Sequence, residues 1–471
     1  PKIIVIGAGA SGIAAAVRLL QNGFDDFVVL ESENRIGGRI NTVPFGANVV
    51  DLGAQWCHGE EGNIVYEIAR PLDPFDSTSH KYETLSCIKS NKEIVPHHLC
   101  AKLTQLARES VSSVENVEFA RNESLGAFLD KKYYELLTTT EYASINHDLA
   151  VKFLNFYRKS ENSVEASDTL YEVSARGYLH YQECEGDRLL NWKDKGYKYF
   201  LEILLKRFPN EALRNKIRLG KTVEKIIWDD VAQNKTLVHC VDGEVFEADH
   251  VICTVSLGVL KEQHTNLFSP NLPAWKQKPI EGLAIGTVGK IFLEFDVPFW
   301  PENWVGFNLL WEEEDLQEIR KGPYKWTEDI FGFYAVDYQT NVLCGWIYGQ
   351  SARQIELESD EVVRDSVLYL LRKFLNFTVP DPVNMIRSKW YSNPNFRGSY
   401  SYRSIETERV QTSAAELARP INHTVTDAPI LLFAGEATHD KFYSTVHGAC
   451  ESGFREAQRL HDFYRRSNSH L

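Results

Sequence analysis

The strongest constraint in this chain is Gly7-x-Gly9-x-x-Gly12, set between an apolar run at residues 2–6 and an alanine-rich stretch near 13–21. The run reads as a short buried parallel strand and the stretch as a helix. Residues 27–30 read as a second strand, ending in Glu31. In such a βαβ opening each glycine has its own reason. Gly7 permits the tight turn, Gly9 lets backbone approach a pyrophosphate, and Gly12 lets helix and strand pack closely. The free N–H groups of the helix N-terminus then stabilise phosphate, and Glu31 can accept hydrogen bonds from ribose hydroxyls. The cradle alone suits a nicotinamide as well as a flavin dinucleotide.

Arg35-x-Gly37-Gly38-Arg39 follows directly. Two guanidinium groups around a glycine pair suit a second approach to phosphates. Near the other end, Phe433-Ala434-Gly435-Glu436 closes an apolar run at 430–434, and a helical stretch at 448–463 comes next. Gly435 would allow close backbone approach there, with a second helix N-terminus facing the same ligand.

A chain of 471 residues is too long for one simple core, so two domains are expected. Residues 76–190 have helical periodicity, as in 103–111 and 124–137. After Gly196 a helix is expected at 197–207, then strands at 217–227, 236–241 and 251–255. A second mixed section, rich in Trp, Phe and Tyr, runs from about 291 to 400. The two textures alternate, so the domains are expected to be interleaved.

A net charge of −14 argues against nucleic acid and is compatible with a cationic partner. No apolar stretch is long enough for a spanning helix. None of the eight cysteines forms a CxxC pair, so neither zinc nor a dithiol motif is indicated, and buried thiols are expected rather than a disulfide framework. The chain begins with proline and holds one methionine, Met385, so the initiator is absent and a leader is expected to have been removed or left out. Sequons at Asn122, Asn234, Asn376 and Asn422 are no more than chance supplies. Ser469-His470-Leu471 loosely matches a peroxisomal address.

Taken in order, several motifs resemble the flavin-containing polyamine oxidases, in particular the animal branch that oxidises spermine or acetylated polyamines. They are the opening glycines, residues 51–59, 254–261 and 289–295, Trp390 with 397–402, and 433–448. The resemblance implies an α/β fold: an FAD-binding doubly wound domain (1–75, 190–290, 401–471) interleaved with an α+β substrate domain (76–189, 291–400). It implies noncovalent FAD, a cationic polyamine as substrate, molecular oxygen as acceptor and a monomer. It leaves the compartment open between cytoplasm and peroxisome, with secretion as the alternative.

Roles follow from the same resemblance. Lys290 matches a lysine that holds a water against the flavin. Tyr400 and Tyr443 match an aromatic pair flanking the substrate amine, Trp390 a residue beside the flavin ring, and Trp56 and His58 the substrate tunnel, with Trp56 contacting FAD as well. Gly38, Arg39, Val223, Glu436, Thr445 and Val446 match further FAD contacts. Elementary chemistry is compatible with this. A lysine inside an apolar strand is rarely buried without purpose, and an aromatic pair attracts a cationic amine. Without the motifs, the tyrosines would read as core and His58 as a structural histidine. The reacting nitrogen must be neutral, and lowering an amine pKa by about three units costs roughly 4 kcal/mol. Acids are therefore expected at the tunnel mouth, with Glu60 and Glu61 as candidates against a solvated-loop alternative.

Two rival enzymes and one non-enzyme are weighed. Monoamine oxidases tether flavin through a cysteine where Ser399 stands here. A histone-lysine demethylase would need an added module and a long helical insertion. A flavin-binding scaffold without turnover would have no use for Lys290 and the tyrosine pair.

Overall fold

The computed structural model describes residues 1–78, 85–228, 235–302 and 304–468; Asn234 and Ser469-His470-Leu471 lie outside them. The opening forms as expected, with strand Ile3–Ile6, helix Ala10–Gln21 and strand Phe27–Leu30. These strands sit in a six-stranded sheet ordered Ile421–Asn422, Pro429–Phe433, His250–Cys253, Ile3–Ile6, Phe27–Leu30 and Ile217–Arg218. All its pairs are parallel except the Ile421–Asn422 edge. Ile3 and Val5 enter one core while Ile4 and Ile6 enter another. Burial on both faces is why this strand reads as a continuous apolar run rather than an alternating one. The order reverses at Ile3–Ile6, and a crevice at the strands' carboxyl ends is where such sheets bind ligands.

The 217–227 stretch is two strands. Ile217–Arg218 edges the parallel sheet, while Val223–Ile227 joins a four-stranded sheet with Thr236–Cys240, Val245–Ala248 and Phe268–Ser269. Gly220, at φ +69°, makes the break.

The second large sheet has seven strands, ordered Asn384–Arg387, Val288–Glu294, Val342–Tyr348, Ile330–Ala335, Gly306–Leu310, Ser86–Lys89 and Ile94–Val95. It is antiparallel except where Gly306–Leu310 meets Ser86–Lys89. Helices His97–Ser112, Leu125–Leu137 and His147–Glu165 pack one core, and Glu313–Lys321 with Asp360–Phe374 another. Ser124, Asn146 and Ser359 cap three of these helices through side-chain oxygens. The 76–190 section is thus not wholly helical. Strands 86–89 and 94–95 are too short to show a two-residue period. The boundary expected at 290 falls inside the continuous strand Val288–Glu294.

Cys87 and Cys100 form a disulfide; the other six cysteines are free and buried, so there is one bridge rather than a disulfide framework. Among the described residues no helix is long and apolar enough to cross a membrane.

Candidate active site

One cavity of about 1610 Å³ runs from the opening glycines to an inner chamber against the seven-stranded sheet. That exceeds the roughly 300–1,000 Å³ of a pocket for one small ligand, so it has room for a dinucleotide and a substrate together.

At the glycine end, the three glycines of the motif differ in what requires them. Gly7 has φ +101°, a conformation open to glycine. A Cβ on Gly12 would lie 1.9 Å from the Gly7 carbonyl oxygen, so Gly12 serves strand–helix packing, and it does not line the cavity. Gly9 has an ordinary φ of −75°, and a Cβ there would meet nothing closer than 3.8 Å. Neither backbone conformation nor packing requires glycine at this position, yet Gly9 lines the cavity. The space it leaves is space for a ligand. Helix Ala10–Gln21 begins there with no side-chain cap and no acid in its first turn. Its positive end therefore faces the cavity, as a pyrophosphate requires.

Glu31 lines the same end and accepts the Ala8 N–H at 2.7 Å and the Glu33 N–H at 2.8 Å. Oε1 also accepts from the Ser32 hydroxyl at 3.3 Å, so Oε2 is the oxygen that keeps a lone pair for a ribose hydroxyl. Gly38, Val223, Gly435, Thr445 and Val446 also line the cavity. Thr445 accepts the Gly448 N–H at 3.0 Å and so steadies the first turn of helix Val446–Asn468. Arg35 does not line it, contrary to expectation. Its guanidinium donates to the Gly38 and Ile40 carbonyls at 2.8 and 3.1 Å and pairs with Glu33 at 2.7 Å, so it braces the Gly37-Gly38 loop from behind.

Arg39 does line the cavity and bonds Ser399 O at 2.7 Å and Glu436 Oε1 at 2.9 Å. Glu436 also accepts from Ser401 Oγ at 2.6 Å and Ser444 N at 2.8 Å. Burial pushes its carboxyl up, but the Arg39 charge and these hydrogen bonds outweigh burial and hold it below the usual range. Glu436 thus ties three distant segments into one wall.

Lys290 shares a strand face with Val288 and Phe292, while Ile291 and Leu293 point into the opposite core. Its ammonium lies at the cavity wall and donates to Asp51 O at 2.9 Å, Gly53 O at 2.8 Å and Gln55 Oε1 at 2.8 Å. Those three acceptors saturate a charged lysine. Two are main-chain atoms; Gln55 is the acceptor that can swing away. Burial lowers the Lys290 pKa to about 8. Trp390 lines the same stretch and donates from its indole to Leu52 O at 3.2 Å. Trp56 stacks on Trp346 with centroids 5.8 Å apart, and its indole N–H is buried without a partner among the described residues.

The inner chamber is aromatic. Tyr400 donates its hydroxyl to Ser163 O. Tyr443 is 3% exposed, lies under the Arg403 guanidinium at 4.0 Å, and among the described residues has no partner for its hydroxyl. Both tyrosines line the cavity. His58 faces it as well and is exposed there, with Nδ1 2.8 Å from Arg188 O. Glu60 and Glu61 are not in the lining. Glu60 accepts the Asp187 N–H at 3.1 Å one layer behind, and Glu61 is exposed, so the expectation of acids at the mouth is corrected at these two residues.

Among the lining acids that sequence reasoning missed, which also include Glu115, Glu183 and Asp187, Glu161 and Glu165 stand at the C-terminal end of helix His147–Glu165. Burial pushes Glu161 up to about 7, against hydrogen bonds from Tyr178 and Tyr157. Burial, and then the Glu161 charge, push Glu165 up to about 8. A signal existed in the sequence. Leu154, Tyr157, Glu161 and Glu165 follow helical spacing, so an inward stripe ends in two acids where apolar residues would be expected.

A model of the family described as flavin containing amine oxidoreductase matches residues 10–461. The human peroxisomal N(1)-acetyl-spermine/spermidine oxidase is 31% identical over 98% of this chain and 94% of its own length. A probable polyamine oxidase of Arabidopsis thaliana is 30% identical over 98% of each chain. A solved structure of a redesigned putrescine oxidase double mutant superposes with a TM-score of 0.71, covering 98% of both chains at 16% identity, and so shows the shared fold. The glycine-end cavity fits the dinucleotide such a family carries. This chain belongs to the flavin containing amine oxidoreductase family.

Proposed function

We propose that this chain is an FAD-dependent polyamine oxidase. It would act on a carbon next to a secondary amine of spermine, N1-acetylspermine or spermidine, releasing an aminoaldehyde, a shorter amine and hydrogen peroxide. The observation that carries this reading is the single cavity joining a phosphate cradle at Gly9 to a chamber walled by Tyr400, Tyr443, Glu161 and Glu165. Gly7, Gly9, Gly38, Glu31, Arg39, Val223, Gly435, Glu436, Thr445, Val446 and Trp390 would hold the FAD. When bound, FAD supplies a two-electron acceptor for the amine and passes the electrons on to oxygen.

The chain's own side chains have the remaining work. Tyr400 and Tyr443 sandwich a cationic chain by cation–π attraction while giving the reacting carbon an apolar wall. Buried carboxyls offer the partner that a desolvated ammonium needs. His58 and Trp56 line the approach. Lys290, freed of Gln55, keeps one donor or lone pair for a water at the reacting face. Ser399 offers no sulfur; its hydroxyl is engaged with the Val288 backbone at 2.8 and 3.0 Å. The FAD is therefore noncovalent in this reading, and acid precipitation should leave it in solution. Names of the human and bovine relatives support a peroxisomal compartment, and a monomer is the working state.

The test is anaerobic addition of spermine, N1-acetylspermine and spermidine to the flavin-loaded protein. Bleaching of the flavin absorbance by at least one is expected, and mass spectrometry of the products identifies the side of the nitrogen oxidised. No bleaching by any of the three ends the reading.

A further inference from the structure

Glu161 and Glu165 stand one helical turn apart, and both line the cavity. Three physical penalties fall on these two carboxyls. Glu161 is buried and Glu165 half-buried, like charges at this spacing repel, and the C-terminal end of a helix carries the negative end of its dipole. No basic residue stands in that last turn. Arg403 is a cation that acts on Glu165, but its guanidinium donates to His439 O at 3.2 Å and covers the Tyr443 ring. A purely structural site would have taken leucine at either position. An independent sign of a ligand is Tyr443, buried in the same lining with a hydroxyl that has no partner among the described residues.

We propose that Glu161 and Glu165 together are the proton acceptor for the substrate's reacting ammonium. The proposal rests on reading the chain as an oxidase of a cationic amine and adds a catalytic step to it. The pair begins with one proton and one negative charge. The ammonium nitrogen gives up a proton to a carboxylate oxygen; an N–H bond breaks, an O–H bond forms, and nitrogen keeps the electron pair. The pair becomes doubly protonated and neutral, so no external oxidant or reductant enters the step. The lone pair freed on nitrogen is what loss of hydride from the neighbouring carbon requires.

Burial favours this transfer. An enclosed carboxyl is a stronger base than an exposed one, and an enclosed ammonium is a stronger acid, so their proton affinities converge. The groups facing the pair do not compete for the proton. The Tyr157 and Tyr178 hydroxyls donate to Glu161, Glu183 adds negative charge, and Arg403 tempers Glu165. Tyr178, Tyr181, Tyr400 and Tyr443 are all pushed above their ordinary range by burial and stay neutral.

The experiment follows anaerobic flavin reduction by spermine from about pH 6 to about pH 10 in Glu161→Gln, Glu165→Gln and the double variant. The limiting rate at saturating spermine is expected to fall at least ~30-fold near neutrality in the double variant, and to recover about tenfold per pH unit as solution deprotonates the amine. Weaker binding with an unchanged limiting rate and pH profile would overturn the proposal, leaving the pair an electrostatic anchor. If the Gln variants fail to retain flavin, Glu161→Asp and Glu165→Asp keep the carboxylate. They are expected to keep the unaltered protein's pH profile at a lower rate, and a profile of different shape overturns the proposal. If no polyamine reduces the unaltered protein, the oxidase reading itself falls.

Discussion

The two ends of the cavity are built by different means. The glycine end is made largely of main chain and absent side chains, with Glu31, Arg39 and Glu436 beside them, contributed by short stretches that are each contiguous in sequence: 7–11, 30–40, 221–223, 254–256 and 435–446. The chamber end is made of side chains from residues 51–58, 157–165, 178–188, 290, 390–400 and 443. A cradle of backbone needs a local pattern, whereas a chamber needs a fold. The first can be read from a motif and altered by adding an atom; the second can be altered only by exchanging chemistry.

Within the cradle the sharpest contrast is between neighbours. Gly12→Ala puts a Cβ 1.9 Å from a carbonyl oxygen and should destabilise the fold by about 3 kcal/mol or more, visible as lost soluble protein or a lowered Tm. Gly9→Leu should fold, because its Cβ meets only ordinary contacts, yet flavin per protein should drop at least tenfold, read by visible absorbance against circular dichroism. Equal stability and equal flavin content in the two variants would break the distinction.

At the chamber end, Lys290→Met should keep the flavin and slow anaerobic reduction at least about tenfold. An unchanged rate would remove its role. Gln55→Glu sharpens the same point. Lys290 is a base whose pKa burial has lowered to about 8. A carboxylate on its ammonium favours the charged form and moves that pKa up. A limb near pH 8 in the reduction profile should therefore shift upward by about one unit or more.

Glu161 makes a stability prediction with a definite sign. Its folded pKa of about 7 lies above the unfolded value of about 4.3, so the folded state holds the extra proton between them. That stabilisation is complete below about pH 4 and lost as pH rises through about 7. Glu161→Gln should therefore gain about 3 kcal/mol over the unaltered protein at pH 8 relative to pH 4, measured by denaturant unfolding at both pH values. The smallest effect is expected from Glu60→Gln with Glu61→Gln. Neither lines the cavity, so the KM for spermine at low salt should be unchanged.

The same division explains what the sequence made legible. The βαβ opening was readable because strand, glycine turn and helix are consecutive and both faces are covered. Glu436 was readable through its glycine neighbour, though its service as a tie between Arg39, Ser401 and Ser444 was not, since those partners lie up to 397 residues away. Arg35 matched the pattern for phosphate but spends its donors on its own loop and on Glu33. Glu60 and Glu61 stood beside the right motif but one layer behind the wall. Glu161 and Glu165 lay on a helix with a readable inward stripe, but what that stripe faced depended on Tyr400 and Tyr443 arriving from the far end of the chain.

The most direct test of the central claim, that one cavity holds flavin and polyamine end to end, is a crystal structure of the flavin-loaded protein soaked anaerobically with spermine. The account predicts pyrophosphate density against Gly9 and Ala10, and spermine between Tyr400 and Tyr443 with a nitrogen within hydrogen-bond reach of Glu161 or Glu165. Spermine bound outside this cavity, or a chamber left to solvent beside a bound flavin, would contradict it.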